Sequence, residues 1–115
     1  MRVFSKVLII PAVIALAACG SDSTAPSNTP PVATNAISVG NDFFTPNNVV
    51  VPAGTTVTWT WTGNAAAHNV TFDDGAKSGD RSGGGQPYTR TFATAGTFNF
   101  HCTIHPSMTG SVTVQ

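Results

Sequence analysis

Thr56-Val57-Thr58-Trp59-Thr60-Trp61-Thr62 alternates polar and apolar side chains without a break. A period of two sends Val57, Trp59 and Trp61 to one face and the threonines to the other, as in a half-buried β-strand. Two indoles on that face supply a large share of a small core, and core packing accounts for both.

The pattern extends outward in both directions. Upstream, residues 36–39 predict a first strand, Phe43, Phe44 and Pro46 an apolar corner, and 48–51 a second strand. Pro52-Ala53-Gly54-Thr55 reads as a turn. Downstream, 63–67 reads as a loop, after which His68, Val70 and Phe72 share the inward face of another strand. The Gly/Ser-rich stretch 73–87 is expected to be a mobile loop, and 88–92 a strand. Phe98, Phe100 and Cys102 alternate inward along the next strand, so His101 points the other way. Residues 109–114 close the chain with Val112 and Val114 on one face. No segment sustains a helical period. Seven to eight short strands with turn signals between them predict an all-β, two-sheet Greek-key sandwich, which can bring His68 near Cys102.

The first residues differ in kind. Met1-Arg2-Val3-Phe4-Ser5-Lys6 is basic and 7–18 is apolar, the pattern of a secretory signal. Leu16-Ala17-Ala18-Cys19 resembles the bacterial lipobox, which implies that Cys19 is lipid-modified and becomes the mature N-terminus. The Ser/Thr/Pro/Asn tract that follows lacks apolar periodicity and reads as a disordered tether. The expected organisation is therefore a signal peptide at 1–18, a lipid-anchored linker at 19–35 and a folded domain at 36–115. Such a protein is exported and faces the periplasm or cell exterior. From Cys19 onward three basic residues stand against five aspartates, a net charge of −2. No basic patch suggests nucleic acid.

Two cysteines in an exported chain would also allow a disulfide, here Cys19 to Cys102. That bridge would tie a floppy segment to the domain across a very long loop. If Cys19 carries lipid, Cys102 is a lone thiol, and a metal ion is one way to occupy it. The surrounding Cys102-Thr103-Ile104-His105-Pro106-Ser107-Met108 has the spacing C-x2-H-x2-M, which crowds a thiol, an imidazole and a thioether into one loop. Soft sulfur beside imidazole suits copper, and a second histidine from elsewhere would complete a trigonal site with a weak axial methionine. His68 is the candidate.

Several motifs in order carry a family resemblance. They are Phe44 and Pro46; Gly54 with Val57 and Trp59; His68-Asn69-Val70; Phe92; Gly96-Thr97-Phe98; and the loop from Cys102 to Gly110. The set resembles the cupredoxins, small blue copper proteins of the plastocyanin and azurin type, and the short ligand loop is similar to that of amicyanin. The resemblance implies one type 1 copper ion held by His68, Cys102 and His105, with Met108 as the long axial ligand. It also implies that Asn69 hydrogen-bonds across to Thr103. His105 would be the electron port, ringed by Ile104, Pro106 and residues 65–67, where redox proteins dock transiently on a monomeric carrier.

Other chemistries fit less well. C-x2-H can be half of a zinc site, but the thioether does not suit zinc and the second half is missing. Multicopper enzymes need further histidine clusters, and a binuclear copper site needs a second cysteine in the loop, so the expected protein is not an enzyme. A periplasmic copper carrier or scavenger would use the same four ligands without electron transfer.

Overall fold

A computed structural model describes residues 30–85 and 87–115. The lipobox, the signal segment and most of the tether lie outside these residues. Ten strands are present among the described residues: β1 (Val32–Ala33), β2 (Ala36–Gly40), β3 (Phe43–Thr45), β4 (Asn48–Val51), β5 (Thr55–His68), β6 (Thr71–Phe72), β7 (Arg81–Gly84), β8 (Tyr88–Phe92), β9 (Gly96–His101) and β10 (Thr109–Val114). One sheet runs β1-β4-β10-β9-β6. The other runs β3-β2-β5-β7, with β8 also paired to β5. Both sheets are mixed, since β10 joins β4 in parallel and β9 antiparallel, while β2 joins β5 in parallel.

The alternation along β5 is realised as read. Val57, Trp59 and Trp61 are buried, and they face Phe72, Phe100 and Val112 from the other sheet. Phe100 is the hinge of this core: its ring meets Trp59 at 5.5 Å and Phe44 at 4.9 Å, both edge to face. Such contacts add about 0.5–1.5 kcal/mol each to the burial of the rings.

Three expectations change. Ordered pairing begins before residue 36, because Val32–Ala33 already lies parallel to β4. The predicted corner at Phe43 and Phe44 is a strand hydrogen-bonded to β2. Finally, 63–67 is not a loop: β5 continues to His68, and part of the supposed loop 73–87 folds against it as β7. The pairing is broken by register shifts between Thr62, Asn64 and His68. Bulges of this kind disrupt the period of two, which hides the strand from pattern reading. Glycine makes the contact possible. A Cβ on Gly84 would lie 3.1 Å from the Gly63 amide nitrogen. The first part of 73–87 is also tied down, with the Val70 N–H donating to Ser78 Oγ at 2.9 Å and the Ser78 N–H to the Val70 carbonyl at 2.9 Å.

The β9–β10 ladder pairs Gly110 with Phe100. A Cβ at 110 would stand 2.7 Å from the Asn47 carbonyl oxygen and intrude on the Phe100 ring. Gly110→Ala is therefore expected to destabilise the domain by about 1–3 kcal/mol, the usual range for overpacking. Urea unfolding checks this, and an unchanged midpoint would mean that the ring yields freely.

Candidate metal centre

β9 ends at His101, and Cys102 is the first residue beyond it. The loop that follows is closed by two backbone hydrogen bonds, Cys102 N–H to the Met108 carbonyl at 3.0 Å and Met108 N–H to the His105 carbonyl at 2.9 Å. This tight turn returns the chain to Thr109, which pairs with His101 as the first rung of β10. Cys102, His105 and Met108 therefore belong to one pinned loop.

His68 comes from the end of β5. The short strand β6 carries it to the loop, because Thr71 pairs with His101 on β9. Asn69 makes the connection secure. Its Nδ2 donates to Thr103 Oγ1 at 2.7 Å and to Asp80 Oδ1 at 2.8 Å, while its Oδ1 accepts from the Thr103 N–H at 3.0 Å and from Thr71 Oγ1 at 2.9 Å. All the hydrogen-bonding capacity of the amide is used. Its backbone N–H also points at Cys102 Sγ, 3.5 Å away. From behind, Trp61 Nε1 donates to the His68 carbonyl at 3.3 Å.

One ligating atom from each of His68, Cys102 and His105 lies within 4.8 Å of the others. Cys102 Sγ is 3.9 Å from His105 Nδ1, and the two imidazole centroids are 4.7 Å apart. His68, Cys102 and Met108 are all buried, and Cys102 is a free thiol. Burial pushes the His68 pKa down, the nearby His105 adds to that shift, and the Asp42 carboxylate opposes it. A neutral imidazole is the form that binds metal.

The donor set fits copper on an observation of its own. Both ring nitrogens of His68 are buried without a hydrogen-bond partner. An unpaired buried polar group costs about 1–3 kcal/mol, a cost that an ion engaging the ring would offset. A metal ion bound between two imidazoles and a thiol, with a thioether at hand, does so, and these donors select copper.

The outward direction expected for His101 is found. Its side chain is 38% exposed and sits 3.9 Å from Asp73 Oδ1, away from the cluster. Pattern reading missed Asp80, which fastens Asn69, and Asp42, whose Oδ1 lies 3.5 Å from His105 Nε2. Both lie in connecting segments, where neither periodicity nor spacing marks a contact.

A two-sheet sandwich bearing a cysteine, a histidine and a methionine on a strand-to-strand loop, with a second histidine from the other sheet, defines a cupredoxin. Comparison with known proteins bears this out. Residues 33–115 match the copper binding proteins of the plastocyanin/azurin family, and the chain belongs to that family. It is 43% identical over 70 residues to amicyanin of Paracoccus denitrificans, a match covering 56% of this chain and 53% of that one, so the chain spans about half of that relative. It is 30% identical to amicyanin-alpha of Methylorubrum extorquens over the full length of both. Among solved structures, an oxidised amicyanin variant superposes with a TM-score of 0.64 at 32% identity, covering 78% of this chain and 95% of that one. The centre is accordingly a type 1 copper site of the two-histidine, cysteine and methionine kind.

Asn69→Ala removes the contacts that join β6 to the ligand loop. It is expected to cost about 1–3 kcal/mol of stability and to weaken metal affinity about 10–100-fold, the usual effect of losing a partner behind the ligands. Chemical unfolding of the metal-free protein and competitive copper titration measure the two effects separately.

Proposed function

We propose that the chain is a type 1 copper electron carrier working outside the cytoplasm. One observation carries the reading: the convergence of His68, Cys102 and His105 donor atoms within 4.8 Å, in a family of copper binding proteins. Copper, when bound, supplies a one-electron couple between Cu(I) and Cu(II).

The chain's own residues make that couple usable. Buried His68 and Cys102 exclude water from the inner side of the site. The hydrogen-bonded loop and the Asn69–Thr103 tie hold the donors in place, so little rearrangement accompanies a change of charge. The Asn69 N–H, aimed at Cys102 Sγ, stabilises negative charge on sulfur. His105 is the ligand that reaches outward, with its side chain 30% exposed. Ile104, 44% exposed, and Pro106, also exposed, stand beside it. A shallow apolar surface of this kind suits a transient redox protein partner docking on a monomer.

The lipobox-like Leu16-Ala17-Ala18-Cys19 supports a second element of the proposal. Cys19 carries lipid, and the tract behind it tethers the copper domain to a bacterial membrane from the periplasmic or outer side. No helix among the described residues is long and apolar enough to cross a membrane.

Copper-loaded protein is expected to show the intense visible thiolate-to-copper band, and Cys102→Ala to abolish it while leaving the fold intact. Rapid electron self-exchange, followed by NMR line broadening in mixed oxidation states, supports the carrier of electrons. A protein that binds copper but exchanges electrons slowly would be a copper carrier or scavenger instead. For the tether, Cys19→Ser is expected to move the protein from the membrane to the soluble fraction, and continued membrane association would refute lipidation.

A further inference from the structure

The two ring nitrogens of His105 face different surroundings. Nδ1 looks inward, 3.9 Å from Cys102 Sγ, and Nε2 looks outward, 3.5 Å from Asp42 Oδ1. Of the four aspartates among the described residues, Asp74 pairs with Arg90, Asp80 receives the Asn69 amide and Asp73 stands beside outward-facing His101. Asp42 faces a ligand.

Its place in the backbone is a second, independent observation. Asn41 and Asp42 form the two-residue connection between β2 and β3, closed by the pair Gly40 and Phe43. Asp42 is the one non-glycine residue with a positive φ, 64°, among those described. A turn with left-handed backbone at its second central position calls for Gly or Asn. Asn stands one place earlier, where the left-handed conformation is not needed. Aspartate is tolerated there, but turn chemistry alone does not select it.

We propose that Asp42 is a positioning residue for His105, holding the imidazole with its proton on Nε2 and its Nδ1 lone pair turned into the site, and adding a negative charge that favours the oxidised metal. A carboxylate behind a ligating histidine fixes ring orientation and raises ligand basicity. At 3.5 Å the pair is an electrostatic contact rather than a short hydrogen bond, so charge does the orienting. The proposal rests on the copper reading of the site, and its test keeps the two apart.

The experiment compares the wild type with Asp42→Asn, Asp42→Gly and Asp42→Glu. In metal-free protein above the ordinary histidine pKa, the ¹⁵N shifts of His105 report its tautomer. Wild type is expected to favour the Nε2-protonated form more strongly than free histidine does, Asp42→Asn and Asp42→Gly to weaken that bias, and Asp42→Glu to recover part of it. In copper-loaded protein, both neutral variants should keep the visible band and lower the oxidised-to-reduced ratio at a fixed potential about two- to threefold, the effect of a unit charge on the far side of an imidazole in watery surroundings. Because Asp42 is 70% exposed, that shift should shrink in high salt. Asp42→Gly suits the turn, so its unfolding midpoint should not fall, which separates the charge effect from damage to the hairpin. An unchanged His105 tautomer and an unchanged potential in Asp42→Asn would overturn the proposal. Should the wild type lack the visible band, the copper reading fails, and the tautomer in metal-free protein still decides whether Asp42 orients His105.

Discussion

The reciprocal hydrogen bonds between Asn69 and Thr103 are the joint on which the site depends. Three of the donors lie on one loop between β9 and β10, while His68 arrives on the other sheet's longest strand. Nothing in the loop itself could fix where His68 stands. The amide does so with two bonds to the residue after Cys102, and its remaining capacity is spent on Thr71 and Asp80. A side chain with every donor and acceptor engaged has one low-energy orientation. The position of His68 relative to the thiol is inherited from it.

Behind that joint the core supplies the stiffness. Phe100, two residues before Cys102, is wedged edge to face against Trp59 and Phe44, and Gly110 leaves room for it from the neighbouring strand. A shift of the ligand loop would have to drag this ring through a packed interior. The far end of the same core is stiffened by a cation. The Arg90 guanidinium lies 4.3 Å from the Phe72 ring centroid, 4.8 Å from Phe92 and 5.2 Å from Phe98, and both its terminal nitrogens meet Asp74. That pairing holds the Asp74 carboxyl below its usual pKa. Set among three rings and paired with Asp74, the guanidinium has little freedom left. A domain of this size, with a thin core, gains from such constraints.

How much of this was legible in the sequence follows from the range of each interaction. Period-two alternation exposed the inward face of β5 and the opposite directions of Cys102 and His101, because those are properties of a single strand. The ligand loop was legible because its donors are close in sequence and chemically unusual together. The link from Asn69 to Thr103 came from family resemblance, since no local pattern joins residues so far apart. What remained hidden depends on contacts without a local signature. Bulges erased the alternation beyond Thr62, and the partner strand β7 is built from Arg81, Ser82, Gly83 and Gly84, a sequence that reads as loop. Its strand character comes from the close approach of two glycine backbones at positions 63 and 84. Asp42 and Asp80 were invisible for a related reason: a carboxylate in a connecting segment looks like any solvated group until the fold shows what it faces.

In the proposed electron carrier the two imidazoles divide the demands of the site between them. His68 is sealed in, with neither ring nitrogen hydrogen-bonded to protein, its carbonyl gripped by Trp61 and its neighbour Asn69 locked to the loop. Those restraints act on its backbone and leave the ring free to serve the metal. His105 is the reverse case. Its backbone belongs to a loop closed by the Met108 N–H, yet its ring edge is open to solvent and to the Asp42 carboxylate. A buried ligand keeps the donor geometry constant between charge states. An exposed one offers a path outward, at the cost of sensing the charges that surround it. In water those charges are weakly felt. An apolar partner that covers Ile104 and Pro106 would also cover this edge, removing the solvent that screens Asp42 and strengthening its action on the metal. On the proposed docking mode, partner binding would then shift the reduction potential through charge alone, without any movement of the fold.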